Sequence, residues 1–334
     1  MTLMLLLLAA MLAVILLASE LFTNALEHLG ERLGISEGVT GSIFAAVGTA
    51  MPETFVPLMA LVAGTPDMAV NEEIGVGAIL GAPLMLSTLS TFLLGLGALS
   101  RRGPAGRLHP EPVGLARDLD FFLAAFAIAA LAMWVPHERL WVRQVLAAVL
   151  CVGYGLYLYR TLAASGKLVE DGHATEAPER MLLTRLGLPL HGATIGLQLL
   201  LGVGLLVLGS KGFIQGVEGV ASRLGISALL LSLLIIPIAT ELPEKVNSIL
   251  WVRRGKDTLA LGNITGAMVF QGTLLPAIGI LLTPWQPRPE VLGGVIVTLC
   301  GAAWLRVSAR TKGLPIWTLG VNGLFYAAYL IYTL

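Results

Sequence analysis

The sequence predicts an all-α membrane protein whose ten transmembrane helices form two inverted five-helix repeats, with helices 2 and 7 broken at mid-membrane. Composition is the first reason. Hydrophobic residues make up 56% of the 334 residues, charged residues 13%, and the mean hydropathy is +0.84, whereas soluble domains carry about 25% charged residues. A repeat is the second reason: Thr49-Ala-Met-Pro-Glu53 returns 191 residues later as Thr240-Glu-Leu-Pro-Glu244, and both copies lie in long apolar stretches.

Ten segments are apolar for long enough to cross a hydrocarbon core of about 30 Å. They lie near 3–24, 37–63, 74–99, 118–136, 141–162, 192–212, 227–252, 258–283, 290–308 and 314–333. Five spans fall in each half, so 1–164 is predicted to form the first repeat and 191–334 the second. An odd number of spans per half forces the second half to insert upside down. The polar segment 165–190 is predicted to be a short cytoplasmic linker.

The repeat extends beyond the proline motif. The same offset relates Arg32-Leu-Gly-Ile-Ser36 to Arg223-Leu-Gly-Ile-Ser227, and Glu27 to Glu218. Glu27 and Glu218 are interpreted as amphipathic helix ends. Each half therefore carries one glutamate at membrane depth on a proline motif, which is typical of a membrane transporter with its site between two repeats.

Basic residues predict the orientation, because cytoplasmic loops are enriched in Lys and Arg. With the N-terminus outside, the inner loops hold fifteen of the 21 Lys and Arg residues and the outer segments five, while Lys245 remains inside a span. The chain is therefore expected to be a multi-pass protein of a prokaryotic inner or plasma membrane, with both termini non-cytoplasmic. The net charge of zero argues against a nucleic-acid partner.

The proline motif also supplies hard oxygen donors. A proline within a helix frees the carbonyl four residues before it, so Pro52 and Pro243 are expected to free two backbone oxygens at mid-membrane. Thr49, Thr240, Glu53 and Glu244 add hydroxyl and carboxylate oxygens on the same turns. Such donors suit Ca²⁺, Mg²⁺, Mn²⁺ or Na⁺, and two carboxylates match the charge of one divalent ion.

These residues resemble the sodium/calcium exchanger family of the calcium/cation antiporter superfamily. That family carries Gly-Thr-Ser-Leu-Pro-Glu and then Gly-Asn-x-x-Gly-Ser-Asn in each of two inverted five-helix repeats. The first half reads Gly48-Thr49-Ala50-Met51-Pro52-Glu53 and then Gly77-Ala-Ile-Leu-Gly-Ala-Pro83; the second reads Ala239-Thr240-Glu241-Leu242-Pro243-Glu244 and then Gly262-Asn-Ile-Thr-Gly-Ala-Met268. The resemblance implies cation exchange by rocking of a two-helix gate against a fixed bundle.

The chain departs from that pattern at the positions that line the family's sodium sites. The family has serine at four of these positions, where this chain has Ala50, Glu241, Ala82 and Ala267. The family also has a later Asn or Asp in each half, where this chain has Leu86 in the first half and Gln271 in the second. Alanine offers no side-chain oxygen, so the remaining donors lie mostly in the second half. The candidate cation ligands are Glu53, Glu244, Thr49, Thr240, Glu241 and Gln271.

Lys245 stands four residues after Glu241, a spacing that lets the two side chains meet on one helix face. Three interpretations remain open at this point. Lys245 neutralises Glu241, or it occupies the site as a tethered cation that substrate displaces, or it extends towards the inner surface near Arg253 and Arg254.

These residues predict a secondary antiporter that exchanges a divalent cation, above all Ca²⁺, for Na⁺ or H⁺ by alternating access. Alternatives are Mg²⁺ or Mn²⁺ as substrate, or a homologue that does not transport and serves a structural or regulatory role. An intramembrane enzyme is not expected, because no nucleophile or pair of histidine ligands accompanies the glutamates. No ATP-binding loop is present. The expected partners are inorganic cations and the lipid bilayer, with no resident cofactor and no obligate protein partner.

Overall fold

The computed structural model describes residues 2–32, 50–170, 180–309 and 313–333, and within them all side chains except those of 27, 30, 31, 164–170 and 242–244. The described chain is almost entirely helical. In chain order its elements are α1 (Thr2–Arg32), α2 (Met51–Ala63), α3 (Met68–Met85), a π-helical turn (Leu86–Ser90), α4 (Thr91–Arg102), β1 (Arg107–Leu108), α5 (Pro112–Leu131), a 3-10 turn (Ala132–Trp134), α6 (Leu140–Glu170), α7 (Leu182–Arg185), α8 (Gly192–Leu224), α9 (Ala228–Arg253), α10 (Asp257–Leu282), α11 (Pro289–Ser308), β2 (Leu314–Pro315) and α12 (Ile316–Thr333).

Six helical stretches of the described chain are long and apolar enough to cross a membrane. They are Thr2–Leu26, Met68–Arg102, Leu140–Ala163, Gly192–Leu224, Asp257–Leu282 and Pro289–Ser308. Large apolar side chains on α6 and α12 are exposed, among them Trp141, Val152, Leu324 and Ile331. Apolar side chains on the outside of long helices are what a bilayer requires. The protein is therefore a helical, multi-pass membrane protein.

The predicted break in helix 7 is wrong, and helix 2 is described only in part. α9 runs without interruption from Ala228 to Arg253, through Pro237 and Pro243. Each proline removes one donor, and the rest of a membrane helix and its neighbours can hold the backbone together. α2 begins at Met51, so Pro52 lies in its first turn, where a missing N–H is not needed. The remainder of that predicted span, 37–49, lies outside the described residues.

An interruption occurs instead in the third predicted span. There α3 passes through the π-helical turn Leu86–Ser90 into α4, and the hydroxyls of Ser87, Thr88, Ser90 and Thr91 are all buried. Thr91 donates to the carbonyl of Leu86 at 2.9 Å, five residues back. Asn322 on α12 donates to the carbonyl of Ser87 at 2.6 Å and to that of Gly301 at 3.0 Å. One extra residue is thus accommodated without unpaired carbonyls at Leu86 and Ser87.

The chain forms two compact units that do not follow the repeat halves: residues 1–71 with 162–225, and residues 72–161 with 226–334. In the first unit, α1 and α8 pack antiparallel along their lengths. One face of α8 is lined by Gly202, Gly209, Gly212, Gly216 and Gly219, whose Cα atoms lie against Phe22, Ile15, Met11, Leu8 and Met4 in that order. Small residues allow membrane helices to approach closely, so this face explains the long contact.

Helical structure extends into the predicted linker segment 165–190. α6 continues to Glu170, beyond the predicted end near 162, and α7 forms one turn after 171–179, which lie outside the described residues. α7 is anchored in the first unit. Gln198 accepts from the N–H of Leu183 at 2.9 Å and donates to Asn24, which accepts from the N–H of Leu182 at 3.0 Å.

In the second unit, α3 crosses α9 at two glycines. A Cβ on Gly77 would lie 2.6 Å from the carbonyl oxygen of Leu229, and one on Gly81 would collide with the carbonyl of Leu233. The carbonyl of Leu233 is the one that Pro237, four residues later, leaves without its helical donor. The backbone of α3 therefore lies directly against the proline-containing part of α9.

One end of the second unit is closed by polar contacts between loops. Arg102 pairs with both carboxylate oxygens of Asp257 at 2.5 and 2.7 Å, and it donates to the carbonyl of Val252 at 3.0 Å. The short strands β1 and β2 pair antiparallel beside this contact, with Arg107 opposite Pro315. At another place in the unit, Glu73 on α3 pairs with Arg288 at 2.6 Å and accepts from the N–H of Leu229 at the start of α9.

Candidate cation site

Glu53, the first-half carboxylate, lies in the first turn of α2 and is only 5% exposed. α2 packs against α8 within the first unit. A carboxylate in the first turn is favoured by the partial positive charge of the helix N-terminus. The adjacent Thr54 donates to the carbonyl of Ala50 at 2.6 Å, which satisfies one end of the turn. Thr49, predicted to act with Glu53, lies outside the described residues.

The second-half motif lies within α9 in the second unit. Thr240 and Glu241 are both buried, at 1% and 0% exposure. Thr240 donates to the carbonyl of Ile236 at 3.0 Å, so its oxygen keeps its lone pairs for a cation. Glu244 belongs to α9, but its side chain lies outside the described ones. Its spacing of four residues from Thr240 places the two positions on the same side of the helix.

Glu241, Lys245 and Gln271 meet in the interior of the second unit. The ammonium of Lys245 lies 3.1 Å from Oε2 of Glu241, and the side chains are 1% and 0% exposed. Gln271 on α10 donates through its amide nitrogen to Oε1 of the same carboxylate. The interpretation that Lys245 extends towards the inner surface is therefore wrong, since its charged end is held by Glu241 inside the protein.

The glycine motifs that follow the proline motifs, residues 77–83 in the first half and 262–268 in the second, have different roles in the structure. Gly77 and Gly81 serve the crossing of α3 and α9, whereas a Cβ on Gly262 would meet nothing within 4 Å. Asn263 donates to the hydroxyl of Ser248 on α9 at 2.9 Å. The glycine motif of the first half thus allows a close approach of two helix backbones, while that of the second half contributes polar side chains.

Sequence reasoning missed a buried polar cluster beside the second motif. Asp118 on α5 accepts from the hydroxyl of Thr265 on α10 at 2.7 Å and from that of Tyr157 on α6 at 3.2 Å. Arg117 lies 3.5 Å from the same carboxylate. Asp118 falls at the edge of a predicted span, so its burial was not evident. The signal was an acidic residue within two positions of another, Asp120, at the start of an apolar run.

The hydroxyls of the π-helical turn were also missed. They begin one residue after Leu86, the position at which the first half lacks a polar counterpart of Gln271, and the turn packs against α10. Ser232 on α9 is fully buried near Gly77 as well. The signal was present as the run Ser87-Thr-Leu-Ser-Thr91 inside an apolar span. π-Helical turns are frequent at functional sites.

Acidic, histidine and cysteine side chains do not cluster in threes among the described residues. What the described side chains offer is a buried carboxylate on α2 and, on α9 and α10, a buried hydroxyl and an amide beside an internal ion pair. Hard oxygen donors of this kind suit a hard cation that is bound and released.

The chain matches one protein family over most of its length. The model of the sodium/calcium exchanger protein family matches residues 3–163 and 195–334. The chain belongs to this family. It is a membrane antiporter of the family and not an enzyme.

Similar proteins agree with that assignment. "Putative antiporter CaxA" from Alkalimonas amylolytica is 27% identical over 271 residues, which cover 80% of this chain and 77% of that one. Inner membrane protein YrbG of Escherichia coli (strain K12) is 27% identical over 267 residues, covering 78% and 74%. Among solved structures, the H⁺/Ca²⁺ exchanger CAX has a TM-score of 0.68 at 17% identity, covering 98% of this chain and 82% of that one. The sodium-calcium exchanger NCX_Mj has a TM-score of 0.57 at 18% identity, covering 99% and 98%.

Proposed function

We propose that the protein exchanges Ca²⁺ for Na⁺ or H⁺ by alternating access, with Glu53 and Glu244 as the carboxylates that bind the transported divalent ion. The observation that carries the proposal is the burial of Glu53 on a family motif whose second copy lies in the interior of α9. Placing a glutamate at membrane depth costs free energy, so its presence there points to a function. Thr49, Thr240 and the amide oxygen of Gln271 are proposed as neutral ligands, and Glu241 as a further acidic member of the site.

The proposed architecture is two inverted repeats of five helices, 1–164 and 191–334, joined by the cytoplasmic segment 165–190. The offset of 191 residues that relates the proline motifs also carries α1 onto α8 to within one residue at each end. These two helices pack antiparallel. Opposite directions for the first helices of the two repeats are what an inverted topology requires.

The counter-ion is proposed to be Na⁺ or H⁺, since different observations favour each. The fold is shared with an exchanger described as H⁺/Ca²⁺ and with one described as sodium-calcium, so the fold does not separate the two. Ala50, Ala82 and Ala267 offer no side-chain oxygen to Na⁺, which favours H⁺. Family membership favours Na⁺. Mg²⁺ and Mn²⁺ remain alternative substrates, because they take the same oxygen ligands.

The test is ⁴⁵Ca²⁺ uptake into proteoliposomes under an imposed Na⁺ gradient and, separately, an imposed pH gradient. Glu53→Gln and Glu244→Gln are expected to abolish uptake while the protein stays folded. Glu138→Gln, which removes an exposed glutamate from the turn before α6, is the control and is expected to transport normally. Normal uptake by both glutamine variants at Glu53 and Glu244 would disprove the site. No uptake of ⁴⁵Ca²⁺ by the unmodified protein, together with no uptake of Mg²⁺ or Mn²⁺, would favour the homologue that does not transport.

A further inference from the structure

The pair formed by Glu241 and Lys245 is unusual for the depth at which it lies. Its two side chains are 1% and 0% exposed, whereas the pairs Arg102–Asp257, Arg117–Asp118, Arg288–Glu73 and Arg306–Asp120 each have at least one side chain that is 20% exposed or more. Both carboxylate oxygens of Glu241 are engaged by the protein itself, Oε2 by the ammonium of Lys245 and Oε1 by the amide of Gln271. Glu241 thus holds a cation, and that cation is covalently part of α9.

Stability alone does not account for such a pair. The cost of removing two charges from water offsets most of their attraction, and apolar residues of similar volume often do as well or better. The first half has no counterpart of this pair. At the positions that the repeat aligns with Glu241 and Lys245, the first half has Ala50 and Thr54.

The location of the pair connects it to transport. Glu241 follows Thr240 and precedes Glu244 by three residues on α9. Gln271 contacts it from α10, the helix that carries the glycine motif 262–268. On α9 itself, Glu241 and Glu244 carry two negative charges, and Lys245 compensates that of Glu241. An exchanged cation is therefore not needed at Glu241.

We infer that Lys245 is a resident cation of the transport site, which holds the charge of Glu241 permanently and so takes the place of one exchanged monovalent cation. This inference rests on the proposed antiport function. It assigns Lys245 a role in the stoichiometry of exchange: the protein moves one monovalent cation fewer per divalent ion than it would with Glu241 alone.

The experiment compares Lys245→Met, Glu241→Gln and the double variant in proteoliposomes. Net charge moved per Ca²⁺ is obtained from current and ⁴⁵Ca²⁺ flux recorded together, a readout that counts Na⁺ and H⁺ alike. Lys211→Met, which removes an exposed lysine from α8, is the matched control. Lys245→Met is expected to exchange one more monovalent charge per Ca²⁺ than the unmodified protein. Glu241→Gln leaves a buried ammonium uncompensated and is expected to lower uptake by about tenfold or more.

The double variant separates a pair from two independent residues. Glu241→Gln with Lys245→Met restores the net charge of the site, so the original charge per Ca²⁺ and uptake within about threefold of the unmodified protein are expected. An unchanged charge per Ca²⁺ in Lys245→Met would overturn the inference while leaving the antiport function intact. Losses that multiply in the double variant would overturn it as well.

A second measurement applies where flux or folding fails. In detergent, replacing choline by Na⁺ is expected to raise the melting temperature of Lys245→Met more than that of the unmodified protein, because Na⁺ takes the position that the ammonium has left. A variant that melts equally in Na⁺ and in choline, and whose melting temperature depends on pH no more than that of the unmodified protein, would disprove the resident cation. If the unmodified protein moves no ion in any gradient, the antiport proposal fails, and this comparison still decides the role of Lys245.

Discussion

At the scale of single residues, the second unit shows how the interior of a membrane protein accommodates charge. Asp118 is 5% exposed, and its carboxylate accepts from the hydroxyls of Thr265 and Tyr157, with Arg117 nearby. Burying a carboxylate without donors costs several kcal/mol, whereas donors from two other helices make the same group a joint between α5, α6 and α10. Asp120, two residues later, pairs with Arg306 at 2.7 Å but is 57% exposed.

Replacing these two aspartates tests the difference that burial makes. Asp118→Asn turns one acceptor into a donor that faces hydroxyl groups, so a loss of about 1–3 kcal/mol in the free energy of unfolding is expected. Asp120→Asn breaks an exposed pair and should cost about 1 kcal/mol or less. Thermal melting of the purified protein in one detergent measures both. Equal melting temperatures for the two variants would show that the hydrogen bonds of Asp118 to Thr265 and Tyr157 do not stabilise the contact between α5, α6 and α10.

Residue patterns in the sequence locate part of the site and leave the rest hidden. Glu53 and Thr240 are found through the repeat, and Glu241 and Gln271 through the family resemblance. The structure shows that all four are buried. The spacing of Glu241 and Lys245 predicts a possible contact, but spacing alone cannot distinguish an exposed pair from a buried one. The partners of Asp118 lie 39 and 147 residues away in the chain, and no local pattern connects such positions.

At the scale of elements, glycine positions determine how closely helices pack. α3 lies against α9 because Gly77 and Gly81 present no side chain to the carbonyls of Leu229 and Leu233. Gly153 on α6 is also helical, but a Cβ there would meet nothing within 4 Å. Glycine in a helix costs about 1 kcal/mol relative to alanine, so a glycine is useful only where close contact repays that cost.

Alanine at these positions should act in opposite directions. Gly81→Ala would set a methyl group against the backbone of α9 and separate the helices, so a lower melting temperature and reduced ion uptake are expected. Gly153→Ala should leave uptake unchanged and raise stability slightly, by up to about 1 kcal/mol. The same melting and uptake assays compare the two. A neutral Gly81→Ala would show that α3 and α9 are not in close contact.

Arg143 secures the end of another helix. It is 1% exposed, and its guanidinium donates to the carbonyls of Ile280 at 2.8 Å, of Pro284 at 2.9 Å and of Thr283. These oxygens lie at the C-terminus of α10, where a positive charge is also favoured by the helix dipole. The fork of an arginine fits several carbonyls at once, which a lysine cannot do.

Removing that fork should free the end of α10. Arg143→Met leaves carbonyls without donors in a buried place, and a loss of about 2–4 kcal/mol in the free energy of unfolding is expected. Arg143→Lys should recover only part of it. The control is Arg139→Met, which removes an exposed arginine one turn earlier and should change stability by about 0.5 kcal/mol or less. Hydrogen exchange at residues 276–284 measures the opening; unchanged protection there would contradict the capping role.

Hydropathy predicts the helices better than it predicts their ends and irregularities. A helix occurs in each of the ten predicted segments, as far as the structure describes them. Yet α1 and α8 continue through polar residues to Arg32 and Leu224, because each has the other as a partner along its length. The turn at Leu86–Ser90 depends on Asn322, far away in the chain. Pro243 predicts a break in the helix, but α9 is continuous at this position.

At the scale of the whole molecule, the repeats and the compact units describe different things. The first unit contains the first helix of each proposed repeat, α1 and α8, and the second unit contains helices from both proposed repeats as well. Within the second unit, contacts join Arg102, Arg107 and Asp257 with the carbonyl of Gly313, and separate contacts join Glu73, Leu229 and Arg288. The first group consists of segments that are all predicted to be cytoplasmic, and the second of segments that are all predicted to be on the other side.

The group of contacts around Arg102 and Asp257 is predicted to face the cytoplasm. The first group and its neighbours carry most of the Lys and Arg residues, so the loop at Arg254 is expected inside and the turn at Asp67 outside. Both residues are exposed and suit a thiol reporter. In a background with Cys151→Ser and Cys300→Ser, a membrane-impermeant maleimide applied to intact cells should label Asp67→Cys, and it should label Arg254→Cys only after permeabilisation. The opposite pattern would place both termini in the cytoplasm and overturn the proposed orientation, although the antiparallel packing of α1 and α8 would stand.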